Sequence, residues 1–123
     1  MKSFNPTVGN PARAVQAWQI LVSKAMNRQT LTYEGLSKLM YGREAAGVLA
    51  RILGHIAFYG KLNNLPPLTT IVVGKGPGKP GSHIPVDPLR IDTEREIVYR
   101  YNWYDIYPPS EGDLAAAFTK YQE

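Results

Sequence analysis

Arg51 and His55 stand one helical turn apart in a segment that also carries Gly47 and Gly54, so small residues alternate with two polar side chains able to reach a phosphate. Further on, Lys75 and Lys79 lie among Gly74, Gly76, Gly78 and Gly81, where unshielded backbone amides add to the side-chain charge. With Arg43 upstream, these side chains have the chemistry of phosphate contact, the part of nucleic-acid recognition that positions a protein on its duplex. A nucleotide-hydrolase phosphate loop is excluded, because neither lysine is followed by Ser or Thr. The same spacing in residues 47–58 also describes a helix packed tightly on another helix. The exposed reading is preferred, since burying Arg51 and His55 without partners is expensive.

Other chemistry finds few residues. The chain has no cysteine, which removes disulfides, thiolate metal sites and a cysteine nucleophile together. The two histidines, His55 and His83, lack ligand spacing with any carboxylate, and no serine sits in a nucleophile motif. Asp92, Glu94 and Glu96 leave a metal-dependent nuclease as a distant alternative. The expectation is therefore a protein without catalytic residues, metal or cofactor.

The elements that must hold these side chains follow from local signals. Residues 1–10 form an unpatterned arm. Pro11 suits a first helical position after a capping Asn10, and residues 12–26 carry Val15, Trp18, Val22, Ala25 and Met26 on one face, with Trp18 as a core anchor. Thr32 is placed to cap a second helix, with Leu31 and Leu36 spaced as a hydrophobic staple and Gly42 supplying a left-handed stop. A long helix is expected from Glu44 to Asn63, ended by Pro66 and Pro67. The β-branched run from Leu68 to Val73 predicts a strand leading into the glycine loop. Residues 31–81 thus read as a winged helix-turn-helix, mainly α with a short β-hairpin wing, within a domain spanning 11–81.

Residues 82–123 form a C-terminal extension expected to pack on the same domain. Within it, 93–104 reads either as helix, from Thr93-Glu94-Arg95-Glu96, or as strand, from the alternation of Ile97, Tyr99, Tyr101 and Trp103. Ser110 and Asp113 then match a capping pair ahead of a last helix. The aromatic stretch is read as a packing or self-association surface and not as a base-stacking platform, because Asp92, Glu94, Glu96, Asp105, Glu111 and Asp113 surround it.

Length and composition fit this outline. A chain of 123 residues with 44% hydrophobic and 20% charged residues has enough apolar content for one modest core. No apolar run is long enough to span a bilayer, and the first residues lack a signal-peptide core, so a cytoplasmic protein is expected. Net charge is +4, and the stretch from Lys24 to Lys79 sets Lys24, Arg28, Lys38, Arg43, Arg51, Lys61, Lys75 and Lys79 against Glu34 and Glu44 only. That asymmetry suits an anionic partner.

Residues 31–81 also resemble the DNA-binding domain of the O6-alkylguanine-DNA alkyltransferase and alkyltransferase-like group. Thr32-Tyr33-Glu34-Gly35-Leu36 is similar to that family's helix start, and Ala50-Arg51-Ile52-Leu53-Gly54 to its Ala-Arg-Ala-Val-Gly segment. Asn64-Leu65-Pro66-Pro67, Val72-Val73 and the glycine loop resemble its Asn-Pro turn, Val-Val strand and tail. Where the family carries Pro-Cys-His-Arg, this chain reads Leu68-Thr69-Thr70-Ile71, so the alkyl-accepting cysteine, its histidine and the tryptophan of the alkyltransferase-like proteins are all missing. The resemblance implies binding of double-stranded DNA without the repair reaction. It places Arg51 in the duplex and Tyr33 beside a rotated nucleotide, with Arg43, His55, Lys75 and Lys79 on phosphates. The competing expectation is a protein-interaction module on the same scaffold, and salt dependence separates the two.

Overall fold

Pro11 occupies the first turn of α1 (Asn10–Met26), where a missing amide costs nothing. The computed structural model describes residues 1–74 and 88–122. Gly9, not Asn10, is the N-cap, and no side chain closes that end. Ala14, Ala17, Trp18, Leu21, Val22 and Ala25 make its buried face.

The second helix starts and stops where its local signals place it. After β1 (Leu31–Thr32), α2 (Tyr33–Tyr41) begins with Thr32 Oγ1 accepting from the Gly35 amide at 2.9 Å. Leu31 and Leu36 both enter the core, and Gly42 ends the helix at φ 72°. The following helix starts later than Glu44. The Ala45 amide donates to Ser37 Oγ at 3.1 Å, which ties this stretch to α2, and a 3-10 turn (Ala46–Val48) leads into α3 (Leu49–Leu62).

The β-branched run is mostly not a strand. Pro67 turns the chain, the Thr70 amide donates to its carbonyl at 3.0 Å, and Leu68–Ile71 is a fully buried 3-10 turn. Only β2 (Val72–Val73) is extended, and it pairs in parallel with β1 in the register Leu31 to Val72 and Thr32 to Val73. A short buried apolar run has no periodicity to distinguish strand from helical turn. The described fold is thus mainly helical with a two-stranded parallel sheet, and the expected wing falls on the glycine loop, outside the described residues. Lys75 and Lys79 lie outside them.

The C-terminal part completes the same core. A 3-10 turn (Pro88–Arg90) precedes α4 (Ile91–Arg100), which settles 93–100 as helix, with Arg90 at the cap position. Arg95 faces inward and donates through Nε to the Thr70 carbonyl at 2.7 Å. After Tyr101 the chain extends into a 3-10 turn (Trp103–Asp105) that buries Trp103 edge-on against Trp18, ring centroids 5.7 Å apart. Ser110 and Asp113 exchange side-chain-to-backbone bonds at 2.9 and 3.0 Å, opening α5 (Glu111–Gln122). This last helix lies against α3 and α1, and Leu114 is fully buried in the common core. Among the described residues, no helix is long and apolar enough to cross a membrane.

Candidate functional site

The α3 face assigned above to a duplex is covered by α5. Gly54 lies so close to Phe118 that a Cβ there would stand 3.2 Å from its Cε1. One position on, His55 is 4% exposed, and its ring stacks on Phe118 at 4.0 Å with the planes 8° apart. Phe58 extends the seam, stacked on Tyr121 at 5.1 Å. Gly54 therefore admits a helix of the same chain, whereas Gly47, in the turn before α3, faces open space.

Burial of His55 costs less than the sequence argument assumed. Its Nδ1 stands 2.7 Å from the Arg51 carbonyl; a carbonyl only accepts, so this nitrogen donates, and the bond satisfies the buried ring N–H. Desolvation pulls its pKa below 6.5 and so favours the neutral ring; the hydrogen bond to the Arg51 carbonyl opposes this shift, and the charge of Arg51 adds to it. Arg51 itself is exposed, its guanidinium 5.8 Å from the Phe118 centroid at the edge of the seam.

A pH dependence follows. The unfolded chain takes up a proton on this histidine before the folded one does, so stability falls as pH drops through 6.5. Denaturation curves between about pH 8 and pH 5 should show a loss that His55→Phe reduces. Identical pH profiles in the two proteins would contradict the buried neutral ring.

The other expected contacts among the described residues are Tyr33, at the start of α2, and Arg43, in the turn after it. Tyr33 is half-buried, and burial pushes its hydroxyl pKa up to about 12. Arg43 is exposed in the turn after α2. Among the described residues of the expected set, Arg51 and His55 meet, through the bond from His55 Nδ1 to the Arg51 carbonyl and through Phe118. Two of the three α4 carboxylates are held by arginines: Glu96 by Arg28 at 2.6 Å and Arg100 at 3.0 Å, and Glu94 by Arg90 at 3.7 Å. The Arg28 hydrogen bond foremost holds the Glu96 carboxyl below its ordinary range. Among the described residues, no group of three or more His, Asp or Glu side chains is placed to hold a metal ion.

Two features escaped the sequence reading. One is a cleft of about 280 Å³ between α1, the end of α3 and the loop before β2. Trp18, Trp103, Ile56 and Leu68 line it, with Lys61, Arg90 and Glu94 also on its wall. Thr69 lines it too, is fully buried, and among the described residues its hydroxyl has no hydrogen-bond partner. No local spacing announces this cleft, because its walls come from distant parts of the chain.

The other is the strap from Trp103 to Pro109, pinned by two buried residues. Between them Tyr104 is 65% and Tyr107 93% exposed. Residues 101–119 contain Asp105, Glu111 and Asp113 and no Lys or Arg, so this segment opposes the sign of the whole chain.

Comparison with protein-family models, curated proteins and solved structures finds no match for this chain. The alkyltransferase-like identity is therefore withdrawn, and with it the winged-helix and DNA-binding descriptions that it carried. The closed α3 face gives the physical reason: the helix taken for a recognition helix already has a partner.

Proposed function

We propose that the protein is a non-catalytic protein-interaction module that engages its partner through the aromatic strap. The observation that carries this reading is the exposure of Tyr104 and Tyr107 on a segment anchored at both ends. Exposed tyrosines on a pre-ordered backbone bury large area on binding at small entropic cost, as binding hot spots do. The carboxylates of Asp105, Glu111 and Asp113 favour a partner segment bearing Arg or Lys, whose cations also stack on tyrosine faces.

The test is selection from a random peptide library on the whole protein. Enriched peptides are expected to carry Arg or Lys. They should bind the Tyr104→Ala/Tyr107→Ala protein roughly tenfold more weakly, a change of about 1.4 kcal/mol, while its thermal midpoint stays near the parent's. Peptides that bind both proteins equally, or the absence of any enrichment, would reject the strap as the binding surface.

A further inference from the structure

Four oxidisable rings stand in one continuous row through the core. Tyr59 meets Trp18 at 5.7 Å between centroids, Trp18 meets Trp103 at 5.7 Å, and Trp103 meets Tyr101 at 4.7 Å. The tryptophans in the middle are 4% and 2% exposed, whereas the tyrosines at the two ends are half-buried and reach water. Rings in contact exchange an electron readily, so an oxidising equivalent that lands on one of them is passed along the row.

The proton decides where it stops. An oxidised indole is trapped once its N–H proton is lost to a base. Trp103 Nε1 donates at 2.8 Å to the Val98 carbonyl, which accepts a hydrogen bond but is too weak a base to take the proton, and the surrounding core keeps water away. The Trp103 radical cation therefore keeps its proton and stays strongly oxidising. A phenol at the edge of water behaves differently: it gives up an electron and a proton together, and at neutral pH its radical is the more stable of the two. The chain contains no cysteine, so no thiol of its own competes as the sink.

We propose that the row Tyr59–Trp18–Trp103–Tyr101 is a radical relay that carries a one-electron oxidation of the tryptophan core out to a tyrosine at the surface. In the transfer the indole radical cation takes one electron from the tyrosine, the phenol proton passes to water, and the closed-shell indole is restored. The oxidant is a one-electron acceptor of the peroxide-derived radical class, and a small reductant of the ascorbate class returns a hydrogen atom to the tyrosyl oxygen. Tyr104 and Tyr107 lie outside the row, so the relay does not rest on the binding role of the strap.

The test is flash photolysis of the whole protein, exciting its two tryptophans in the presence of a cobalt(III) ammine that accepts the ejected electron irreversibly. The tryptophan-radical absorption is expected to decay as tyrosyl absorption rises, with a first-order rate that does not depend on protein concentration. Tyr59→Phe/Tyr101→Phe keeps both rings and deletes both phenols; it should prolong the tryptophan radical at least about tenfold and raise the yield of oxidised indole found by mass spectrometry. Each single variant should remove part of the tyrosyl signal, which keeps the test decisive if the double variant fails to fold. Tyr104→Phe/Tyr107→Phe should leave the parent kinetics in place. The proposal is overturned by tryptophan-radical decay without a tyrosyl rise, by a folded double variant that decays as the parent does, or by loss of the transfer in the strap variant.

Discussion

Trp103→Ala is expected to lower the unfolding free energy by about 3–5 kcal/mol, the range for losing a buried large aromatic side chain. The indole is 2% exposed and makes edge contacts with Trp18 at 5.7 Å and Tyr101 at 4.7 Å. Trp18 in turn meets Tyr59 edge-on at 5.7 Å, so the ring joins α1, α3 and the segment after α4. A second loss is polar. Trp103 Nε1 donates to the Val98 carbonyl at 2.8 Å, in the last turn of α4, where carbonyls lack intrahelical partners. Trp103→Phe keeps a ring and deletes that donor, so an intermediate loss is expected. Set against a typical total of about 5–15 kcal/mol, the alanine variant should be near its folding limit at room temperature. Urea unfolding followed by circular dichroism measures this without relying on the deleted fluorophore. A loss under about 1 kcal/mol would show that Trp103 is not the anchor of the C-terminal segment.

What the sequence discloses is what neighbouring residues decide. The Thr32 cap, the Gly42 stop and the Ser110–Asp113 pair are formed within a turn or so of chain, and each is present as its spacing predicts. Trp18 is likewise a core residue, because a periodic face on a long helix leaves little choice. The candidate site depended on distant partners. Gly54 and His55 carry one pattern whether they meet a groove or Phe118, and nothing local distinguishes the two. Charge misled in the same way. Arg28 counted toward a basic surface, yet folding brings Glu96 to within 2.6 Å of it, and Lys38 stands 3.6 Å from Glu44. Segregation along the chain is thus not segregation in space. The aromatic alternation of 97–103 misled because α4 ends at Arg100, so the alternating residues straddle two elements.

Phe118→Ala should separate the two halves of the α3–α5 seam and cost about 2–4 kcal/mol, less than a fully buried aromatic because the ring is partly exposed. It removes the stacked partner of His55, admits water to the imidazole and relieves the desolvation that depresses its pKa. The histidine should therefore titrate closer to 6.5 in this variant, an upward shift readable from its ring proton resonances. Gly54→Leu attacks the same seam from the other side. A Cβ alone meets Phe118 Cε1 at 3.2 Å, so a larger side chain must displace the ring or the helix, at a cost of about 1–3 kcal/mol. Combined, the two changes should cost less than the sum of the singles, because the alanine vacates the space that the leucine needs. A double-mutant cycle on unfolding free energies is expected to return a coupling of at least about 0.5 kcal/mol with that sign. Additive losses would mean that Gly54 is small for a reason other than Phe118, and would return the α3 face to the surface available for a partner.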